Sequence, residues 1–359
     1  MNVQDLDTPA LVVDLDVLER NIAAMAQVAR AGEKALRPHT KTHKTPEIAR
    51  MQIAAGARGL TVAKLGEAEA LADAGFDDLF IANQIVGPQK MERLARLAAR
   101  AALIVAADSV EGADLLGAAA VRAGVRLKAR IEVDTGLGRA GTRSGGEALT
   151  IARFVADHKG LELDGIFTHE GQIYQASDPR SSAATAAEQM RDLAALLAAE
   201  SLPVGAISMG STPGAPLIAR EPGVTELRPG VYVFNDRTQL RLGASHSACA
   251  LTVLATVTSV RPDGRVIVDA GSKAMASDCP FPDRSFGEIV NRSDLKSVGA
   301  SEEHGHLLAE QGANVRIGER VRILPNHACT CTNMHDTLFA VRGDVVESEW
   351  RIAGRGKIR

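Results

Sequence analysis

Two lysines, two histidines and an arginine crowd around one proline in RPHTKTHK, residues Arg37 to Lys44. A lysine becomes a nucleophile when its neutral amine is accessible. A low-dielectric site already rich in positive charge disfavours the ammonium and makes that amine available. Arg37 and His39 are such neighbours for Lys41. The bland reading is a solvated basic turn; the chemical reading is a Schiff-base lysine. A second stretch, MGSTPGA, offers the backbone N–H groups of Gly210, Ser211 and Thr212 and two hydroxyls at the entry to an expected helix. That is a cradle for an anion such as phosphate. Gly-Ser-Thr loops are common by themselves. A phosphate cradle and a nucleophilic lysine are, however, the two things that pyridoxal phosphate needs together.

The elements that must position these groups are legible from periodicity. The stretch DLDVLERNIAAMAQVARAG reads as a helix with Asp16 at its N-cap and Gly32 just past its end. Short apolar runs follow, each trailed by an Ala/Leu/Glu-rich helical segment. The runs are ALRPHTK, GLTVA, DLFIAN, ALIVAAD, LKARIEVD, LDGIFTH, GAISMG and GVYVF. Alternation of strand and helix implies parallel pairing, and eight units predict an α/β fold with a closed (β/α)8 barrel of the TIM type. An open doubly wound sheet is the competitor, but no Gly-x-Gly-x-x-Gly opens the first unit. After residue 243 the pattern changes to apolar alternation broken by Pro-Asp-Gly and Arg-Gly-Asp turns. The expected division is a barrel over residues 8–243 and a β-rich domain over 244–359, joined by the strand-like N-terminal segment 1–15.

Composition excludes several classes. The 359 residues are 45% hydrophobic, enough for a sizeable core, and the net charge of −3 gives no reason to expect nucleic acid or a polybasic membrane anchor. No apolar run approaches the 18 or so residues that cross a bilayer. The acidic N-terminus lacks a signal-peptide pattern. Four cysteines, Cys249, Cys279, Cys329 and Cys331, are too few and too late for a disulfide framework, so a cytoplasmic protein with reduced thiols is expected.

Functional groups of a parallel barrel sit at the C-terminal strand ends. Lys41 lies at such an end. So do Asp134 and Arg139 in EVDTGLGRAG, His169 and Tyr174 in THEGQIY, Gly210 to Thr212, and Tyr232 in GVYVFND. Each also has a structural reading: a satisfied core histidine for His169, a surface charge for Arg139, a turn cap for Asp134.

Taken together, TPALVVDLDVLERNI, LRPHTKTHKTPEIA, DTGLGRAG, GSTPGA, RPGVYVFND, EEHGHL and PNHACTCTNMHD resemble the fold-type III pyridoxal phosphate enzymes. The branch they look most like is that of D-threonine aldolases and eukaryotic-type D-serine dehydratases, over nearly the whole chain. The resemblance implies an alanine-racemase-like barrel followed by a β domain. It makes Lys41, not Lys44, the cofactor lysine, and it sets His169 against the pyridine ring. Arg139, Tyr174, Tyr232 and the Gly210–Thr212 loop are the accompanying cofactor contacts, and His304 in SEEHGHL lies near the substrate. A homodimer is implied as well.

The resemblance also carries a metal. In PNHACTC, His327 and Cys329 are two residues apart on an expected strand end, so both side chains point one way, and Cys331 shares that face. Imidazole plus thiolate suits zinc, with manganese or magnesium as alternatives, and two protein ligands leave positions open for substrate and water. His335 and Asp336 either support these ligands from behind or begin the next strand. The implied activity is a pyridoxal-phosphate- and metal-dependent lyase on D-3-hydroxy amino acids. KTHK, with His43 as base for the β-hydroxyl, looks like the aldolase branch, and His-x-Cys looks like the dehydratase branch. Retro-aldol cleavage to glycine and an aldehyde is the first reading, D-serine or D-threo-3-hydroxyaspartate dehydration the alternative. A non-catalytic carrier of the cofactor is the outsider.

Overall fold

The computed structural model describes residues 1–276, 281–282 and 285–359; Cys279 therefore lies outside the described residues. The chain forms two compact units. One comprises Ala24–Lys41, Ala49–Gly230 and Lys357–Arg359, the other Met1–Ala23, Thr42–Ile48 and Val231–Gly356. The basic stretch Arg37 to Lys44 is thus divided between them after Lys41. Among the described residues, no helix is long and apolar enough to cross a membrane.

Strands are numbered in chain order, starting with β1 (Ala10–Asp14). The unit built around Ala49–Gly230 is the barrel. Its strands are β2 (Ala35–Leu36), β3 (Leu60–Val62), β4 (Asp78–Ile81), β5 (Ala102–Ala107), β6 (Leu127–Glu132), β7 (Leu161–Phe167), β8 (Ala206–Met209) and β9 (Glu226–Leu227). Among the described residues these eight form one sheet in the order β2-β9-β8-β7-β6-β5-β4-β3, every pair parallel. An isolated parallel bridge between His39 and Thr61 joins the two ends and closes the ring. The (β/α)8 barrel expected from the alternation is therefore present.

The eighth strand is not GVYVF. It is the pair Glu226–Leu227, and Val231–Val233 forms a 3-10 turn instead. Pro229 has no N–H to give to a ladder. The apolar Val231–Phe234 run is buried in the other unit. A two-residue strand that begins with a glutamate has no apolar run for periodicity to find.

Glu226 explains why that strand sits where it does. Its carboxylate, 3% exposed, takes Arg37 Nε at 2.9 Å and Arg130 Nη1 at 2.5 Å. Arg37 also reaches Asp78 at 2.6 Å, and Arg130 reaches Asp164 at 2.6 Å. Beside this charged layer Phe80 and Phe167 meet edge to face, with centroids 4.9 Å apart, and the Arg228 guanidinium lies 5.1 Å from the Phe167 centroid. The interior is thus a packed core rather than a pore. Burial pushes the Glu226 carboxyl up, but Arg130 and Arg37 outweigh it and hold the group at about 2 against an ordinary 4.5. A depressed carboxyl contributes stability that is present above the unfolded value and lost as pH falls through the folded one. About 3 kcal/mol of unfolding free energy is therefore expected to disappear between pH 4.5 and 2. Urea titrations across that range should show Glu226→Gln with a flatter pH dependence. At pH 7 it should be less stable by about 3–5 kcal/mol, because two buried guanidiniums lose their shared anion.

The other unit is the β-rich one. Its later strands are β10 (Leu251–Val260), β11 (Arg265–Val268), β12 (Gly287–Ile289), β13 (Leu295–Ala300), β14 (Gly305–Ala309), β15 (Arg320–Pro325), β16 (Thr337–Arg342) and β17 (Val345–Arg351). The main path runs β13-β14-β11-β10-β1-β16-β17, with β15 pairing β10 and β12. The N-terminal β1 is central: it is antiparallel to β10 (Ala10 opposite Leu254) and parallel to β16 (Val12 opposite Phe339). Val3, Leu6, Ala10, Val12, Leu254 and Val341 pack its core. The helix Leu15–Ala31 begins as expected, but Asp14 rather than Asp16 accepts the first-turn N–H, from Val17 at 3.0 Å. Asp16 is occupied by Arg342.

Candidate active site

In the barrel unit, Lys41 follows β2 in a short 3-10 turn, Thr40–Thr42, and is partly buried. His39 precedes it, and its Nδ1 accepts the Lys41 backbone N–H at 3.4 Å, which leaves the ring proton on Nε2. Burial first, and then the positive charge of Lys41 and Arg228, keep His39 well below its ordinary value, so the ring is neutral. His169 follows β7. Burial brings it down to about 4; Glu170 pulls it up, and Lys41, Arg139 and Arg228 push it down. The barrel mouth thus gathers two neutral imidazoles beside Lys41, Arg139 and Arg228, with the carboxylates of Glu170 and Glu132 close by. Arg139 is mostly exposed and reaches Glu132 at 3.5 Å. Asp134 is a turn residue: it accepts from the amides of Gly136 and Gly138 at 3.0 and 2.9 Å and pairs with Arg143. Tyr174 lies in the 3-10 turn Gly171–Gln175 and is partly buried.

Two expectations need correction here. Arg37 is not a neighbour that tunes Lys41. Its guanidinium is turned into the barrel, where Glu226 and Asp78 take its charge. Cations at the mouth come instead from Arg228 and Arg139, which are remote in sequence. The amides of Gly210 and Ser211 do not await an incoming anion. Both donate to the Glu170 carboxylate, Gly210 N–H at 3.0 Å. Glu170 is fully buried, and such a carboxylate must be satisfied by the donors around it. The helix after the loop, Ala215–Ile218, is one turn, too short for a dipole of consequence.

In the β-rich unit, His327 and Cys329 are not on a strand. His327 caps the helix Ala328–Met334, of which Cys329 is the second residue. The alternating HACTCT looks extended by period, but the buried Asp236 accepts the N–H of Ala328 at 2.9 Å, one of the orphan donors of a helical first turn. Asp236 also caps the helix Arg237–Arg241 through the N–H of Gln239 at 2.9 Å. Burial pushes its carboxyl up, against its amide bonds and the nearby His327. On a helix, residues two apart lie about 200° apart, so Cys331 does not share the face of Cys329. It is fully buried 3.4 Å from the carbonyl of Ala274, and burial raises its thiol far above the usual range. Cys329 Sγ lies 3.2 Å from Thr42 Oγ1. Next to Thr42, His43 is fully buried with Nδ1 3.1 Å from both the backbone N and O of Thr45. Lys44 is tied to Asn333 Oδ1 at 2.7 Å. His335 Nε2 lies 2.8 Å from the carbonyl of Ala274, and Asp336 pairs with Arg355 at 3.1 Å. Tyr232 is buried, whereas His304 is exposed at the turn between β13 and β14.

The donor chemistry decides what each group can hold. The mouth of the barrel, positive and lined by uncharged imidazoles, suits an anionic aromatic ligand. Around His327 and Cys329 the donors are one imidazole and one thiol, a pair suited to a borderline-soft divalent ion. Among the described residues there is no group of three or more His, Cys, Asp or Glu side chains arranged for a metal. A cavity of about 900 Å³ in the β-rich unit, lined by Arg237, His246, Cys249, Glu288, Lys296 and Arg322 among others, includes none of the candidate cofactor, metal or substrate residues.

Glu170, Arg228 and Asp236 escaped the sequence reading although all three lie inside stretches that it quoted. A charged residue inside a strand-end motif was the available signal.

A closed parallel barrel with a lysine after its first strand, and a separate antiparallel-rich unit, define an alanine-racemase-like protein. The chain belongs to the family of the alanine racemase N-terminal domain, whose model matches residues 13–238, and a serine dehydratase domain matches residues 250–341. Among similar proteins are D-threonine aldolase of Arthrobacter sp., 36% identical over 98% of this chain and 93% of the relative. D-threo-3-hydroxyaspartate dehydratase of Delftia sp. strain HT23 is also 36% identical, over 96% of this chain and 97% of the relative. Of solved structures, D-threonine aldolase from Filomicrobium marinum matches with a TM-score of 0.93 at 32% identity, covering 99% of this chain and 98% of that one. A D-threo-3-hydroxyaspartate dehydratase mutant in the metal-free form matches at 0.89 and 35%, covering 98% of each chain.

Proposed function

We propose that this protein is a lyase that uses pyridoxal phosphate and a divalent metal to act on D-3-hydroxy amino acids, with retro-aldol cleavage of the D-threonine aldolase type as the first reading. The observation that carries it is the positive mouth of the barrel, where Lys41 stands with Arg139, Arg228 and two imidazoles held neutral. Relatives of near full length and equal identity, one an aldolase and one a dehydratase, support the substrate class.

Pyridoxal phosphate, when bound, supplies an electron sink next to the amino-acid α-carbon, and the metal supplies a Lewis acid for the β-oxygen. Lys41 would hold the first of these. The neutral His169 would lie against the ring, and Arg139, Tyr174 and the Gly210–Thr212 loop would complete the hold from the barrel; Tyr232 keeps the contact implied by the resemblance. His327 and Cys329 would hold the metal, with zinc the first choice. For cleavage at Cβ, His43 takes the hydroxyl proton. Nδ1 lies 3.1 Å from both the N–H and the carbonyl of Thr45, and only the tautomer that donates to the carbonyl has Nε2 as the acceptor a base needs. His304 stays the assigned substrate contact.

Dehydration is the second reading, favoured by the thiol of Cys329. There Lys41, once released, takes the proton from the α-carbon and hydroxide leaves from Cβ. Incubating the purified protein with D-threonine and D-serine, with and without added metal, separates the readings by product. Glycine and acetaldehyde are expected. A keto acid and ammonia would replace the first reading by the second, and a stable complex without turnover on either substrate would sink both.

A further inference from the structure

Glu170, the residue after His169, is fully buried, and its carboxylate accepts the N–H groups of both Gly210 and Ser211. A backbone N–H has one hydrogen to donate, so these two amides have none left for a phosphate. The loop is shaped around the carboxylate. Gly210 has φ +113°, and a Cβ on Gly214 would lie 2.6 Å from Glu170 Oε1 and 2.8 Å from Ser211 Oγ. Ser211 Oγ in turn accepts the N–H of Gly214 at 3.2 Å. Arg228, also buried, feels the negative charge of Glu226 and then of Glu170. The Gly210 and Ser211 amides therefore both close on one carboxylate, and Gly214 packs against it.

We propose that Glu170 is a positioning residue for phosphate recognition, which rests on the reading of this protein as a pyridoxal phosphate enzyme. Its carboxylate fixes Gly210 and Ser211 and so sets where the next residue of the loop, Thr212, is presented to the phosphate. Glu170 thus governs affinity for the phosphate without touching it, and the like charge of carboxylate and phosphate keeps the anion off the two amides.

The test compares pyridoxal phosphate with pyridoxal, which lacks the phosphate, by spectroscopic titration of cofactor-free protein. Wild type should bind pyridoxal phosphate more tightly than pyridoxal. Glu170→Gln aims an NH2 at two N–H donors, and that preference is expected to fall about tenfold or more, the range of a charge-assisted hydrogen bond, while pyridoxal affinity changes less than about twofold. An unchanged preference in a folded Glu170→Gln protein overturns the inference. So does a raised one, because the carboxylate would then be a competitor of the phosphate. Should that variant fail to fold, Gly214→Ala displaces the same carboxylate and must lower the same ratio, or the inference falls. Wild-type protein that binds neither compound would instead overturn the underlying reading.

Discussion

Lys41→Ala is expected to lose both turnover and the covalent attachment of pyridoxal phosphate. In wild-type protein borohydride should make that link permanent, and the modified peptide should contain Lys41. The rate loss should be at least about a thousandfold, since without that amine nothing would hold the cofactor covalently, and under the dehydration reading the α-proton would lose its base as well. Lys44 is the natural control, being three residues on in the same basic stretch. Its Nζ donates to Asn333 at 2.7 Å, with only 8% of the residue exposed, an anchoring arrangement. Lys44→Met should therefore keep the covalent link. A modified peptide whose label lies on Lys44, or normal turnover by Lys41→Ala, would refute the assignment.

Removal of the metal, or Cys329→Ala, is expected to cost a similar factor by another route. A Lewis acid that stabilises charge developing on the β-oxygen is worth several kcal/mol, so turnover should fall about a thousandfold. Attachment of pyridoxal phosphate should persist, because the thiol takes no part in it. Metal content, measured by mass spectrometry, should drop in Cys329→Ala and in His327→Ala. Cys331→Ala should retain metal and most turnover. Its thiol is sealed against the Ala274 carbonyl, and burial keeps it protonated. If Cys331→Ala loses the metal and Cys329→Ala does not, the ligand assignment is wrong.

The class of fold was legible because it depends on local repetition. Six of the eight barrel strands lie within the apolar runs read from the sequence and a seventh overlaps its run, and the change to alternation after residue 243 comes just before the antiparallel strands begin. Turn chemistry was legible too: Gly264 and Gly343, in the Pro-Asp-Gly and Arg-Gly-Asp turns, take positive φ of 86° and 56° at the β10–β11 and β16–β17 hairpins. What failed locally failed where a distant partner overrode a local preference. The eighth strand is placed by Glu226 between two arginines, and HACTCT is turned into a helix by Asp236.

The sequence by itself determined the barrel, the β-rich remainder and the position of Lys41 at the end of a strand, since period, turn residues and strand order are properties of neighbouring residues. Only the tertiary structure decided where the charges go. It turned Arg37 inward to Glu226 and Asp78, gathered Arg228 and Arg139 around the imidazoles, and filled the Gly210–Ser211 amides with Glu170. Residues 37 and 226 meet only once the first and last strands of the barrel pair, and 170 and 210 only once β7 and β8 lie side by side. A buried charge takes whichever partner the closed ring brings within hydrogen-bond reach, because leaving it unpaired costs more than any local preference can offset.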